Sequence, residues 1–298
     1  MKNHFLLLIF SLLVFPSPSW SYVCSRVPDS TGQETGPSLS WYTRSITFAL
    51  QQDGTTDIAG DQELDELRDS FAVWEENLAA NAGNTCDPQE LTTDLVFTES
   101  NSLSSSTLVG YDFLNPSKNE NLLLFQDTSW PHAGTSGIIL ALTTNTYNAL
   151  TGEIFDSDIE FNSSNFTFTL SSNSNPQTDL KNTAVHEIGH FIGLGHVPIR
   201  AATMYEQAST AETKKRDLHC DDAEATHFKY PFALPNGYCT PTEACGFCAP
   251  PDTISSTVQV KISDTNPDST SGCQCAAGQT GWLGFAWLLL LRKRRERA

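Results

Sequence analysis

The residues with the clearest chemistry are His186-Glu-Ile-Gly-His190-Phe-Ile-Gly-Leu-Gly-His196. On a helix, positions i and i+4 share one face, so His186 and His190 can aim both imidazoles at one ion. Glu187 follows the first histidine, and from there its carboxylate can reach a water on that ion without ligating the ion itself. Gly193 can take a backbone conformation closed to other residues, so it can end the helix and turn the chain back. That turn would let His196 supply a third nitrogen. Three neutral imidazoles leave one position of a tetrahedral zinc open, which is the mark of a catalytic site. Zinc would acidify a water there and polarise a scissile carbonyl, while Glu187 takes the proton and hands it to the leaving amine. H-E-x-x-H alone turns up in unrelated proteins. The longer pattern that ends in His196 is far more specific.

These residues need a frame. A helix should start near Thr178-Asp179 and run to about Gly193. Another helix carries Leu64, Leu67, Phe71, Trp74 and Leu78 at spacings of three and four, one apolar face with Asp61 as a candidate N-cap. A third spans Asp221 to Phe228. Residues 45–50 alternate as a half-buried strand, and Leu95–Phe97, Leu122–Phe125 and Ile138–Leu142 read as further strands. Residues 154–161 place Phe155, Ile159 and Phe161 against Asp156, Asp158 and Glu160. After Asn162-Ser-Ser-Asn165, Phe166, Phe168 and Leu170 alternate again, as in a hairpin. Strand, helix, several strands and two helices in that order make an α+β domain.

The chain has 298 residues, 17 basic against 35 acidic, and a net charge of -18, which argues against a nucleic-acid partner. Residues 1–21 have the pattern of a secretory signal peptide: Lys2, an apolar run from Phe5 to Phe15, and small residues before Tyr22. The protein is therefore expected to be exported, where disulfides persist. Cys24, Cys86, Cys220, Cys239, Cys245 and Cys248 are most simply read as paired, with the pairing open, and Cys245-Gly-Phe-Cys248 as a structural disulfide.

The catalytic segment resembles the metzincin zinc endopeptidases. Their second mark is a methionine turn, and Thr203-Met204-Tyr205 matches it eight residues after His196, in a chain with two methionines. The resemblance implies that Met204 packs beneath the imidazoles as an apolar floor. The short gap and the Met-Tyr pair look most like the matrixin branch, which contains the matrix metalloproteases. Thr151-Gly-Glu-Ile-Phe-Asp-Ser-Asp-Ile-Glu-Phe161 resembles the strand before that branch's catalytic helix, and Asp221-Asp222 with Phe228-Lys-Tyr230 resembles its last helix. The likeness covers roughly residues 40–231 and implies a twisted, mostly parallel sheet, one catalytic zinc and protein or peptide substrates. Val197 departs from it, since matrixins usually have Ser after the third histidine. Cys24-Ser-Arg-Val-Pro-Asp29 looks only faintly like a cysteine switch. Asp156 and Asp158 are candidates for calcium or for a solvated strand face, and His132 reads as a surface histidine.

The domain is expected over 22–232, a Cys/Pro/Ser-rich linker over 233–272 and a tail over 273–298. In the tail, Cys273-Gln-Cys275 precedes a short apolar stretch from Trp282 to Leu291 and the basic cluster Arg292-Lys-Arg-Arg-Glu-Arg297. The tail resembles bacterial C-terminal sorting segments of the Myxo-CTERM kind, which implies retention at the envelope or release. The expected function is a zinc endopeptidase acting on extracellular proteins. The alternative is a catalytically silent, surface-displayed binding protein on the same scaffold, and an intact Glu187 argues against it. Substrate preference and oligomeric state are not readable from the sequence.

Overall fold

A computed structural model describes residues 22–76, 92–134 and 137–233, with the backbone of two further strands at 260–264 and 273–274. The short strands β1 (Val23–Cys24) and β2 (Ser40–Trp41) precede β3 (Ser45–Leu50) and the helix α1 (Gln62–Glu76). Then come β4 (Val96–Glu99), β5 (Leu122–Phe125), β6 (Ala141–Asn148) and β7 (Glu153–Phe161). β8 (Phe168–Thr169) and β9 (Thr178–Asp179) lead into the helix α2 (Leu180–Phe191), and α3 (Cys220–Lys229) follows it. β10 (Val260–Asp264) and β11 (Cys273–Gln274) complete the described elements.

The main sheet has the order β10-β6-β7-β5-β3-β4, with β2 also parallel to β7. β4, β3, β5 and β7 run parallel, and β6 is antiparallel to both β7 and β10. The fold is thus α+β with a mostly parallel sheet. Alternation in β3 buries Ile46 and Phe48 against the helices, where Phe48 stacks on Phe71 of α1 at 4.0 Å between centroids. The apolar stripe of α1 does what its spacing implies: Leu64, Leu67, Phe71 and Trp74 are all buried. Burying one such side chain stabilises the fold by about 1.5–3 kcal/mol. Trp74 also donates from Nε1 to the Val185 carbonyl at 2.9 Å, which ties α1 to α2.

Four expectations change. The strand expected at 138–142 starts at Ala141 and runs on through Thr-Thr-Asn-Thr-Tyr to Asn148, buried at every position. β6 lies between β7 and β10 with α2 over it, so hydroxyls and amides are enclosed that hydropathy assigns to a loop. The hairpin expected after Asn165 does not form. Phe168–Thr169 pairs in parallel with Thr178–Asp179 instead, with the Phe168 amide held by Asp57 at 2.8 Å. Cys24 is a free, fully buried thiol and not a disulfide, because β1 is pinned inside by bonds from Ser25 N to Gly193 O and from Gly195 N to Val23 O. Cys220 is disulfide-bonded. Residues 260–264, read as part of a linker, add the strand beside β6. Leu78, Cys86, Cys239, Cys245 and Cys248 lie outside the described residues.

Two features of this frame are open to direct test. Gly193 ends α2 at φ +82°, and a Cβ there would come within 2.2 Å of the Leu39 carbonyl oxygen. Gly193→Ala should therefore destabilise by at least about 2 kcal/mol, left-handed backbone strain plus the overlap. A thermal melt superimposing on wild type would contradict this. On β7, Asp156 and Asp158 are both buried side by side. Asp158 accepts from the amides of Gly110 (2.5 Å) and Leu122 (2.9 Å), so it anchors the loop before β5, while Asp156 Oδ2 has no hydrogen-bond partner. Burial first, then the neighbouring carboxylate, pushes Asp156 up; burial also pushes Asp158 up against its amide bonds. Raised carboxyl pKa values make the folded state bind more protons than the unfolded one. Their stabilising contribution is complete below about pH 4 and is lost as pH rises toward 8. The melting temperature of Asp156→Asn should thus gain on wild type between pH 5 and pH 8 without added divalent cations. Parallel curves would refute the raised carboxyl pKa of Asp156.

Candidate active site

α2 begins where Asp179 caps it, accepting the Asn182 amide at 2.8 Å. The same carboxylate is forked by Arg216, through Nε at 3.0 Å and through Nη2. Leu180, Ala184, Val185, Ile188 and Phe191 form the fully buried stripe that docks the helix. Its other face carries His186 and His190. The chain turns at Gly193 and brings back His196, whose Nε2 lies 3.2 Å from His186 Nε2 and 3.0 Å from His190 Nε2.

That spacing fits zinc. Bonds of about 2.0–2.1 Å to nitrogen in a tetrahedron put neighbouring nitrogens about 3.3 Å apart. Two of the rings are also set in the right tautomer. His186 Nδ1 donates to the Thr203 carbonyl at 2.6 Å and His190 Nδ1 to the Leu194 carbonyl at 2.8 Å, leaving both Nε2 lone pairs pointing inward. Burial above all keeps the imidazoles uncharged: His190 is pushed down to about 4, His196 to about 2, and His186 well below its ordinary value. Among the described residues, these three histidines are the one group of three or more His, Cys, Asp or Glu side chains placed to hold an ion.

Glu187 lies in the same cleft of 710 Å³. Thr143 of β6 donates to its Oε2 at 2.7 Å. Burial pushes this carboxyl up to about 7, with the Thr143 bond and the charge of Lys215 opposing. A carboxylate at that value can both take and return a proton near neutral pH. Met204 is buried under α2, and a Cβ on Gly189 would come within 2.2 Å of its sulfur. Val197 N donates to Met204 O at 3.0 Å, so the residue after the third histidine is fixed through its backbone.

The other sequence candidates lie elsewhere. Asp156 and Asp158 do not line the cleft, and they bring two carboxylates where calcium takes six to eight oxygens. His132 is not a bare surface group: its Nε2 is 2.8 Å from Glu160 Oε2, and its ring packs edge-on to Trp130. Sequence reasoning missed Thr143, Asn145, Asp222 and Lys215. Asp222 accepts the amides of Thr203 (2.8 Å) and Met204 (3.0 Å) and so holds the methionine turn in shape. Asn145 donates to the His190 carbonyl at 3.1 Å. Thr143 and Asn145 carry no spacing signal, since they come from a strand far from the motif. The Asp pair at 221–222 was visible as a helix start but not as a turn anchor.

The sequence matches the Matrixin family over residues 40–230. In Arabidopsis thaliana, the protein named Metalloendoproteinase 2-MMP is 44% identical over 52 residues, 17% of this chain and 14% of that protein. Metalloendoproteinase 1-MMP is 45% identical over 53 residues, 18% and 14% of the two chains, and Metalloendoproteinase 4-MMP 40% over 57, 19% and 16%. The aligned part spans 14% to 16% of the length of these curated relatives. The family match runs from β2 to the end of α3 and takes in every residue that shapes the cleft, and the chain belongs to the matrixin family.

Proposed function

We propose that this chain is a zinc-dependent endopeptidase that hydrolyses peptide bonds of extracellular proteins. The observation that carries the reading is the convergence of three neutral imidazole nitrogens at 3.0–3.2 Å in one cleft with a buried carboxyl poised near 7. His186, His190 and His196 would hold the zinc. Bound there, zinc supplies the Lewis acidity that polarises the scissile carbonyl and makes water a nucleophile near neutral pH. The rest falls to the chain. Thr143 fixes the carboxylate of Glu187 through Oε2. Glu187 takes the proton from the attacking water and returns it to the nitrogen of the leaving amine. The cleft beside the histidines, lined by residues 137–142 and 206–210 among others, orients the peptide.

Substitutions should separate ligand from base. Glu187→Ala keeps zinc, because the carboxylate is not a ligand, and loses about 10²–10⁴-fold in kcat. His196→Ala removes a ligand, so zinc content and activity fall together. Elemental analysis beside casein hydrolysis reads both. Undiminished proteolysis by Glu187→Ala would overturn the mechanism, and a zinc-loaded wild type that cuts nothing would favour the silent binding scaffold.

We infer from residues 1–21 and from the tail that the protein is exported and held at the envelope by its C-terminal segment. Among the described residues no helix is long and apolar enough to cross a membrane, and the apolar run of the tail lies outside them. Cys273–Gln274 pairs with Val23–Cys24, so a truncation after Gln274 leaves that pairing intact. Such a truncation should shift the protein from the envelope fraction to the medium with its specific activity unchanged. Identical fractionation of both forms would disprove the sorting role.

A further inference from the structure

Lys215 is a lysine with 2% exposure, and it lines the same cleft as His186, Glu187 and His190. Its position is firmly set. It sits in the 3-10 turn Lys214–Arg216, its amide donates to Asn182 Oδ1 at 2.8 Å, and the next residue, Arg216, forks Asp179. Both anchors belong to the first turn of α2 and its cap, Asn182 one turn and Asp179 about two turns before His186. The ammonium donates to the Tyr205 carbonyl. An ammonium has three donors, so this bond does not exhaust it.

Its neighbours are matched and it is not. Glu212 pairs with Lys214 at 3.4 Å and Asp179 with Arg216, and among the described residues no carboxylate oxygen lies within 4.0 Å of Lys215 Nζ. Glu187 and Asp222 act on it only over longer range. A buried cation without an adjacent anion is costly, and the cost falls when an anion arrives with hydrogen-bonding oxygens. Burial pushes this ammonium down to about 8, with the charge of Glu212 pulling the other way, so it is still mostly charged at neutral pH.

We propose that Lys215 is a specificity residue, and that the part of the cleft between Asn182 and Lys215 takes a carboxylate side chain of the substrate at one of the two positions flanking the scissile bond. Glutamate suits it better than aspartate, because a lysine that is only 2% exposed as a residue is met more readily by the longer side chain. The inference rests on the endopeptidase reading for its substrate class.

The test uses the zinc-loaded full chain and matched peptides that carry Glu, Gln or Leu at each flanking position. At one position, kcat/KM for Glu should exceed that for Gln by about tenfold or more, the worth of a charge-assisted hydrogen bond in a desolvated site. Lys215→Met should abolish the difference between Glu and Gln. The Glu–Gln comparison needs no variant, so it stands even if Lys215→Met folds poorly. Equal cleavage of Glu and Gln peptides at both positions overturns the proposal, as does a preference that survives in Lys215→Met. Binding of the same peptides to Glu187→Ala keeps the two readings apart. Tighter binding of the Glu peptide by Glu187→Ala, together with a zinc-loaded wild type that cuts neither peptide, would sink the endopeptidase and keep the pocket, whereas cleavage by the wild type without charge preference would do the reverse.

Discussion

A helix that ends inside a protein leaves carbonyls without intrahelical partners, and each one left unpaired costs about 1–3 kcal/mol. α2 ends that way, and five other parts of the chain come to it. Gly193 N bonds the His190 carbonyl at 2.8 Å and Leu194 N the Gly189 carbonyl at 2.9 Å. Trp41 Nε1 from β2 reaches the Phe191 carbonyl at 2.8 Å, and the Tyr230 hydroxyl, just past α3, reaches that of Ile192 at 2.8 Å. Ser25 N takes the Gly193 carbonyl at 3.0 Å, and Asn145 of β6 adds a second bond to His190 O. The Leu194 carbonyl is matched by Ser25 Oγ at 3.0 Å and by His190 Nδ1 at 2.8 Å. One of the three imidazoles is therefore oriented by the same turn that closes the helix. The turn cannot be altered without moving that imidazole.

The other end of the triad is held by a second chain of dependence. Asp222, fully enclosed, accepts three backbone amides, from Thr203, Met204 and His219. Burial pushes its carboxyl up and those amides pull it down. The turn it fixes offers the Thr203 carbonyl to His186 Nδ1 at 2.6 Å. It also lays Met204 against Gly189, where there is no side chain to keep it off. The methionine turn is thus more than an apolar floor. It carries the hydrogen bond that sets the tautomer of His186, and a carboxylate 18 residues on from Met204 keeps it in place.

The part of this site that repeats at helical or turn spacing could be read in advance. His186, Glu187, His190, Gly193 and His196 are close in sequence, and their geometry follows from the pitch of one helix and one turn, whereas Met204 is legible only through the likeness to the metzincins. So could the apolar stripe of α1 and the alternation of β3. What could not be read comes from distant strands. Thr143 and Asn145 sit in a run of polar residues that looks like a loop until β7 and β10 flank it and α2 covers it. Cys24 shows the same limit from the other side: export suggests pairing, but only the position of β1 under the Gly193 turn shows that the thiol is enclosed. Lys215 reads as one of a surface run of three basic residues, and burial of the middle one depends on Asn182 capturing its amide.

That captured lysine changes the electrostatics of the whole cleft. Burial is the main reason why the three imidazoles stay neutral, and the charge of Lys215 acts in the same direction on each of them. A neutral imidazole is the form that binds a metal, so the lysine removes proton competition at the site. Its charge also repels a dication, which works against the same binding. Glu212 first, then Glu187 and Asp222, offset part of the charge of Lys215 from a distance. None of them is an adjacent counter-ion, although the chain as a whole has 35 acidic against 17 basic side chains. The lining of the cleft also carries Asp179, Glu187, Glu206 and Glu212, of which Asp179 is held by Arg216 and Glu212 by Lys214, so among the described residues Lys215 is its one cation and has no carboxylate at ion-pair distance. An anionic group that enters the cleft on the side of Asn182 would meet that ammonium before any other cation of the lining.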